Sequence, residues 1–186
     1  KSYLNDLRIA EDKIYITDSG MGGIVVLDMN SGKSRRLLDN HPSTKAESVV
    51  LTVDKKSFLM KGKAPKIHSD GIALSKDQKK LYFHALTGYT LYSVPTEALN
   101  DENLSAEELG NKVSNLGTTP APDGMIFDNE ENLYMADLER NAIAYRTPKG
   151  EMKILIQDSR LKWPDTFTID SDNNLIFTDS LLHEAP

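Results

Sequence analysis

Cysteine is absent from the 186 residues, which excludes a disulfide framework and any thiol chemistry. That absence does not fix the compartment, since exported bacterial proteins often lack cysteine too. Tryptophan occurs once, at position 163. Beside Pro164 it is expected to anchor packing rather than to serve as a ligand platform. No apolar run approaches the length of a membrane span, so no membrane insertion is expected. Basic residues do not outnumber acidic ones: 22 Lys and Arg against 28 Asp and Glu leave a net charge of −6. Short groups such as Arg35-Arg36 and Lys55-Lys56 are scattered, so nucleic acid is not an expected partner. A G-x-S-x-G elbow, a P-loop and a dinucleotide fingerprint are all missing. The four histidines, 41, 68, 84 and 183, form no pair with metal-ligand spacing on one element.

What is present is a repeat. Residues 122–137, PDGMIFDNEENLYMAD, are echoed at 164–179 by PDTFTIDSDNNLIFTD. Further copies are SDGIALSKDQKKLYFHA at 69–85 and NDLRIAEDKIYITD at 5–18. Aligned on the first aspartate, the copies place Asp6, Asp70, Asp123 and Asp165 in register. In each, a short apolar run, a polar turn and a second apolar run spell strand, tight turn, strand. Third runs follow at 24–29, 90–94 and 142–146, and outer strands are expected at Ser34–Leu38 and Met152–Ile156. Asn30-Ser31-Gly32-Lys33 and Pro148-Lys149-Gly150 supply hairpin chemistry.

Each unit is thus a four-stranded antiparallel meander. From Asp6 to Asp70, Asp70 to Asp123 and Asp123 to Asp165 the steps are 64, 53 and 42 residues. The smallest step fits a bare propeller blade of about 40–45 residues. One meander cannot bury both faces, whereas blades stacked around a channel can. The expected fold is all-β, a β-propeller in one domain, with blade units at about 5–67, 69–118, 122–158 and 164–186. The aspartates precede the innermost strands, so their side chains should converge at one mouth of the channel.

The two longer steps imply insertions. One, between Leu38 and His68, carries SVVLTV and SFLM and is expected to form an additional hairpin. The other, between Pro95 and Thr119, has Ser105 and Glu108 at capping-box spacing and predicts a short helix. Both ends of the chain look internal to a larger fold. Blades are therefore expected before Lys1 and a closing segment after Pro186.

The stretches DGIALS…LYSVPT, His41-Pro42-Ser43 and above all DSRLKWPDTFTIDSDNNLIFTDSLLH resemble the major royal jelly protein and Yellow family; the last is close to how bacterial members end. The resemblance covers nearly the whole chain. It implies a six-bladed propeller of which this chain holds about four blades, and a secreted or periplasmic location. It also implies a small organic ligand at the channel mouth, with isomerisation or hydrolysis as the available chemistry; some insect members are linked to dopachrome conversion or bind amines or sterols. Their cysteines have no counterpart here. More distantly the chain is similar to gluconolactonases and senescence-marker lactonases, which hold a divalent metal, usually calcium, in the channel mouth. That match makes Asn5, Asp70 and Asp123 metal ligands, with Asp70 in place of an Asn.

The candidate ligand-binding residues are therefore Asp70, Asp123 and Asp165. Catalytic candidates are Asp70, Asp123 and His68, the last only two residues from Asp70. Oxygen donors from several loops suit a hard cation such as Ca²⁺. The same aspartates could instead accept backbone N–H bonds of their own turns and fix the blades. Asp18, Asp137 and Asp179, at the ends of the second strands, are expected to cap turns, and His84 to be structural. A calcium-dependent lactonase and a non-enzymatic, protein-binding propeller are the alternative functions. The turns DNEEN and DSDNN lack the spacing of calcium-binding loops.

Overall fold

The computed structural model describes residues 1–184. The first blade is β1 (Leu4–Ala10), β2 (Lys13–Asp18), β3 (Ile24–Asp28) and β4 (Ser34–Leu37), hydrogen-bonded in that order. A small hairpin, β5 (Thr52–Val53) and β6 (Lys56–Ser57), lies in the first insertion. The second blade is β7 (Ser69–Leu74), β8 (Lys80–Ala85), β9 (Thr90–Pro95) and β10 (Ser114–Thr118). Helices α1 (Thr96–Asn100) and α2 (Ala106–Gly110) fall between β9 and β10. The third blade is β11 (Met125–Phe127), β12 (Leu133–Asp137), β13 (Ala142–Arg146) and β14 (Met152–Gln157). The inner pair of a fourth follows, β15 (Pro164–Ile169) with β16 (Leu175–Asp179). The fold is all-β and propeller-like, and no helix among the described residues is long and apolar enough to cross a membrane.

The turns explain why the same sentence folds the same way each time. Asp128 accepts from the amides of Glu130 and Asn132, and Asp170 accepts from those of Asp172 and Asn174. The residue that must turn left-handed stands at the same point of each inner hairpin: Glu11, Gln78, Glu131 and Asn173, with φ between 52° and 63°. The leading aspartates of DNEEN and DSDNN are thus engaged by their own turns. Apolar side chains pack between blades rather than within them. Ile24, Val26 and Tyr15 meet Ile72, Leu81 and Phe83. Ala73 and Leu91 meet Met125, Leu133 and Met135. Ala136 and Ile143 meet Trp163 and Phe167.

Three expectations need correction. The second blade's outer strand, β10, lies in a stretch where the sequence predicts only an insertion. Its residues SNLGT show no alternation and are mostly exposed, and backbone pairing to β9 holds them. The extra hairpin is shorter than 48–53 and 57–60 imply, because Leu51, Val53 and Phe58 are buried against the blades. The third correction concerns register. In β1, Leu4 pairs with Asp18 and Leu7 with Ile16; in β7, Ser69 pairs with Ala85 and Ile72 with Phe83. Each inner strand carries one extra residue between its two pairs, a bulge. Asn5, not Asp6, therefore occupies the position of Asp70, Asp123 and Asp165. Asp6 is one residue further on, where it accepts from the Leu7 amide and pairs with Arg8 at 2.8 Å.

The insertion from Leu38 to His68 acts as a strap across the blade ends. Glu47 accepts from Thr90 N in the second blade, and Thr52 N donates to Glu139 beside the third. Asp54 takes the Asn141 amide at 3.1 Å and the Lys162 ammonium at 2.5 Å. Phe58 meets Trp163 edge-on at 5.0 Å. The chain then returns, and His68 N donates to Ser19 O of the first blade.

Candidate functional site

The bulges bring the site residues together, and glycine lets them approach. A Cβ on Gly71 would stand 2.6 Å from the carbonyl oxygen of Asp123, and one on Gly124 would overlap that of Asp165. In the second and third blades this bulge position must lack a side chain because the next blade's bulge occupies that space, whereas Asp6 stands there in the first. The Asp-Gly pairs are thus a spacing device. They press each bulge against the following one and crowd the carboxylates that precede the glycines.

The outcome is a buried acid pair. Asp70 is 3% exposed and Asp123 8%. Burial, then the neighbouring Asp123 charge, pushes Asp70 well above the ordinary carboxylate range. Burial, then the Asp165 charge, pushes Asp123 up to about 6. The two carboxyl groups titrate as a coupled pair, so the first proton lost belongs to the pair and not to either residue. Two side chains donate to the pair: Asn5 Nδ2 to Asp70 Oδ1 at 2.5 Å, and Trp163 Nε1 to Asp123 Oδ2 at 2.5 Å. Ser19 Oγ lies beside Asp70 and favours its charged form, yet it completes no well-formed hydrogen bond among the described residues. Asp165 is half-buried at the edge of this group.

Asn5, Asp70, Asp123 and Asp165 are therefore adjacent, each in an inner strand or the bulge leading into it. His68 points elsewhere: its Nδ1 accepts from Ala46 N at 2.9 Å, and burial lowers its pKa. His84 is fully buried between Ala85 O and Thr119 Oγ1, with its pKa lowered to about 4 by burial, a structural imidazole. Two participants escape sequence reasoning. Trp163 is a fully buried anchor and also the donor to Asp123; its place one residue before Pro164-Asp165 was the available signal. Arg8 pairs with Asp6 and reaches across to Met125 O at 2.8 Å, two residues beyond Asp123. It ties the first blade to the third.

Asp18 and Asp179, at the ends of second strands, are engaged by backbone amides instead. Asp18 accepts from the amides of Tyr3, Gly20 and Met21, and from Arg36 at 2.7 Å. Despite its burial, hydrogen bonds from Ser2, these amides and Arg36 hold its pKa well below the usual range. Asp179 accepts from Lys162 N and Trp163 N. Asp137 pairs with Arg140 at 2.6 Å.

The donor set at the bulges fits a hard cation in kind: two carboxylates and an amide, whose oxygen can face the pair once the amide is turned over. The family model for major royal jelly proteins matches residues 1–181. The chain belongs to that family. Among solved structures, this royal jelly family chain is similar to a chain of a nidogen–laminin complex, at 18% identity and TM-score 0.65, covering 96% of this chain and 57% of that one. A gluconolactonase from Xanthomonas campestris matches at 15% identity and TM-score 0.64, covering 96% and 54%. Virginiamycin B lyase from Staphylococcus aureus matches at 16% and TM-score 0.54, covering 95% and 63%. At these identities the likeness concerns the fold alone. The chain spans between 54% and 63% of these three structures. No curated protein matches the sequence.

Proposed function

We propose that this royal jelly family chain contributes the acid wall of a channel-mouth site that binds a small organic ligand together with a divalent cation. Asn5, Asp70 and Asp123 would hold the cation, with Asp165 at its edge, and Ca²⁺ is the ion their oxygen donors fit best. The observation that carries this reading is the pair of buried carboxylates, Asp70 and Asp123, pressed together by glycine-spaced bulges and supplied with two side-chain donors among the described residues. Like charges so placed repel unless a proton or a cation offsets them. A bound cation would polarise a ligand carbonyl or lower the pKa of a water there. Hydrolysis of a lactone, the class suggested by gluconolactonase, and tautomerisation are the two reactions such a site would serve.

A metal-free reading rests on the burial of the pair, which favours a protonated Asp70. A neutral Asp70 beside a charged Asp123 offers one hydrogen-bond donor and several acceptors, which suits an amine or hydroxyl ligand. The experiment is a thermal melt of the full-length protein with excess Ca²⁺ and with EDTA. Saturation at a hundred times the dissociation constant adds about 2.7 kcal/mol, a rise of a few degrees. A rise that Asp70→Ala and Asp123→Ala abolish supports the cation site. A midpoint indifferent to Ca²⁺ overturns it and leaves the metal-free reading, to be tested with aromatic amines.

A further inference from the structure

The blades carry a second recess at the end opposite the aspartates. β7 runs away from Asp70 and turns through Ser75–Lys79 into β8, and the turn between β13 and β14, at Thr147–Gly150, lies at the same end. Between the second and third blades these turns enclose a cavity of about 190 Å³. Both blades that form it are complete four-stranded sheets. Its inner wall is the edge-to-face pair Tyr82 and Phe127, with ring centroids 4.8 Å apart, and Leu133 lies beside them.

The polar groups around it are unevenly engaged. Lys76 donates to Asn129 O at 3.1 Å, and Asp77 accepts from Ser75 Oγ and Lys79 N. Lys80 and Arg146 also line the cavity, and neither makes an ion pair among the described residues. The guanidinium of Arg146 lies against Gly150, where a Cβ would stand 2.9 Å from Nη2; that glycine, at φ 89°, both turns the chain and leaves room for the side chain. Burial pushes the Tyr82 phenol up, so its hydroxyl stays protonated and able to donate. Glu131 is exposed and is the remaining carboxylate at the lip.

The equivalent groove between the third and fourth blades shows that this charge pattern is not a by-product of the repeat. Tyr134 stands there as Tyr82 does here, but Asp128 and Glu130 line that groove and no Lys or Arg does.

We infer that the cavity between the second and third blades binds a small organic carboxylate. The carboxylate would be taken by Lys80, Arg146 and the Tyr82 hydroxyl, and a flat apolar body would lie against Phe127, Leu133 and Pro148. Charge-assisted bonds to a guanidinium and an ammonium favour an oxyanion over a neutral amide of the same shape. The aromatic wall favours an organic anion over a bare inorganic one.

The test uses three probes on the full-length protein, followed by amide NMR shifts: benzoate, its neutral isostere benzamide, and inorganic phosphate. Benzoate should shift Tyr82, Phe127 and Arg146 saturably, benzamide should not, and phosphate should bind more weakly than benzoate. Arg146→Gln and Lys80→Gln, both at partly or fully exposed positions, should each weaken benzoate at least fivefold without moving the melting midpoint. Asp70→Ala should leave benzoate binding unchanged, which separates this site from the channel mouth. Equal binding of benzamide would reduce the cavity to an apolar slot and overturn the assignment. Phosphate binding as tight as benzoate would reduce it to a plain cationic patch, with the same consequence. Benzoate affinity unaffected by both substitutions would also sink it.

Discussion

Asp70 and Asp18 are the same residue type, both buried and both repeated from blade to blade, and the fold treats them oppositely. Asp18 receives three backbone amides and Arg36, and its pKa falls. Asp70 receives Asn5 and the repulsion of Asp123, and its pKa climbs. The difference lies in the backbone. At the end of β2 the chain turns back and aims the Gly20 and Met21 N–H groups at Asp18. At the bulge, glycine brings the next blade's carbonyl and carboxylate close instead. A repeated aspartate is therefore architectural where amides converge on it, and available for a ligand where other carboxylates do.

This contrast can be broken from the architectural side first. Asp18→Ala strips three backbone amides of their acceptor and Arg36 of one of its two carboxylate partners, the other being Asp39, and should cost on the order of 3 kcal/mol in denaturant unfolding. A loss below about 1 kcal/mol would place Asp18 with the functional acids. Trp163→Phe keeps most of the packing but removes the donor to Asp123, and should cost about 1.5–3 kcal/mol, the range for a hydrogen bond to a charged group. It should also raise the Asp123 pKa further, visible in a carboxyl NMR titration.

The pH dependence sharpens the contrast. With folded pKa values above the unfolded 3.8, Asp70 and Asp123 make the folded state hold more protons than the unfolded one. Their contribution to stability must then fall as pH rises above 3.8, for Asp123 through about 6. Asp18, depressed, contributes stability above its unfolded 3.8 that is lost as pH falls toward its folded value. Asp70→Asn should flatten the fall that begins above pH 3.8 and raise stability at pH 7 by up to about 1 kcal/mol. A variant that instead loses stability at pH 7 would make Asp70 architectural. Ser105→Ala, outside both groups, removes the capping box that joins Ser105 and Glu108, and should cost about 1 kcal/mol with no effect on the pH profile.

The repeat was legible because its turn chemistry is local. Asp128 and Asp170 cap their own hairpins, and Ser105 caps its own helix. The candidate carboxylates Asp70 and Asp123 were legible for the same reason, as the residues opening each inner strand. The register of the first blade was not. A bulge adds one residue without changing composition, so Asp6 looks aligned with Asp70 until the pairing of Leu4 with Asp18 shows that Asn5 is. Nor was β10, because SNLGT is held by its neighbour's backbone and not by a pattern of its own. The roles of Gly71 and Trp163 depend on groups about 40–50 residues away, Asp123 in both cases, and no local rule points there.

The strap changes how cooperative the molecule must be. In a stack of repeats each unit leans on its neighbours, and the array can fray from one end. Asp54, held by Asn141 and Lys162 across 87 and 108 residues of chain, adds a coupling that skips the intervening blades. Loss of the fourth blade removes a partner from the segment that joins the first two. The second, third and fourth blades are therefore tied to one segment, and slow amide exchange should extend from Ser69 through Trp163 as a single protected unit, not as a gradient along the blades.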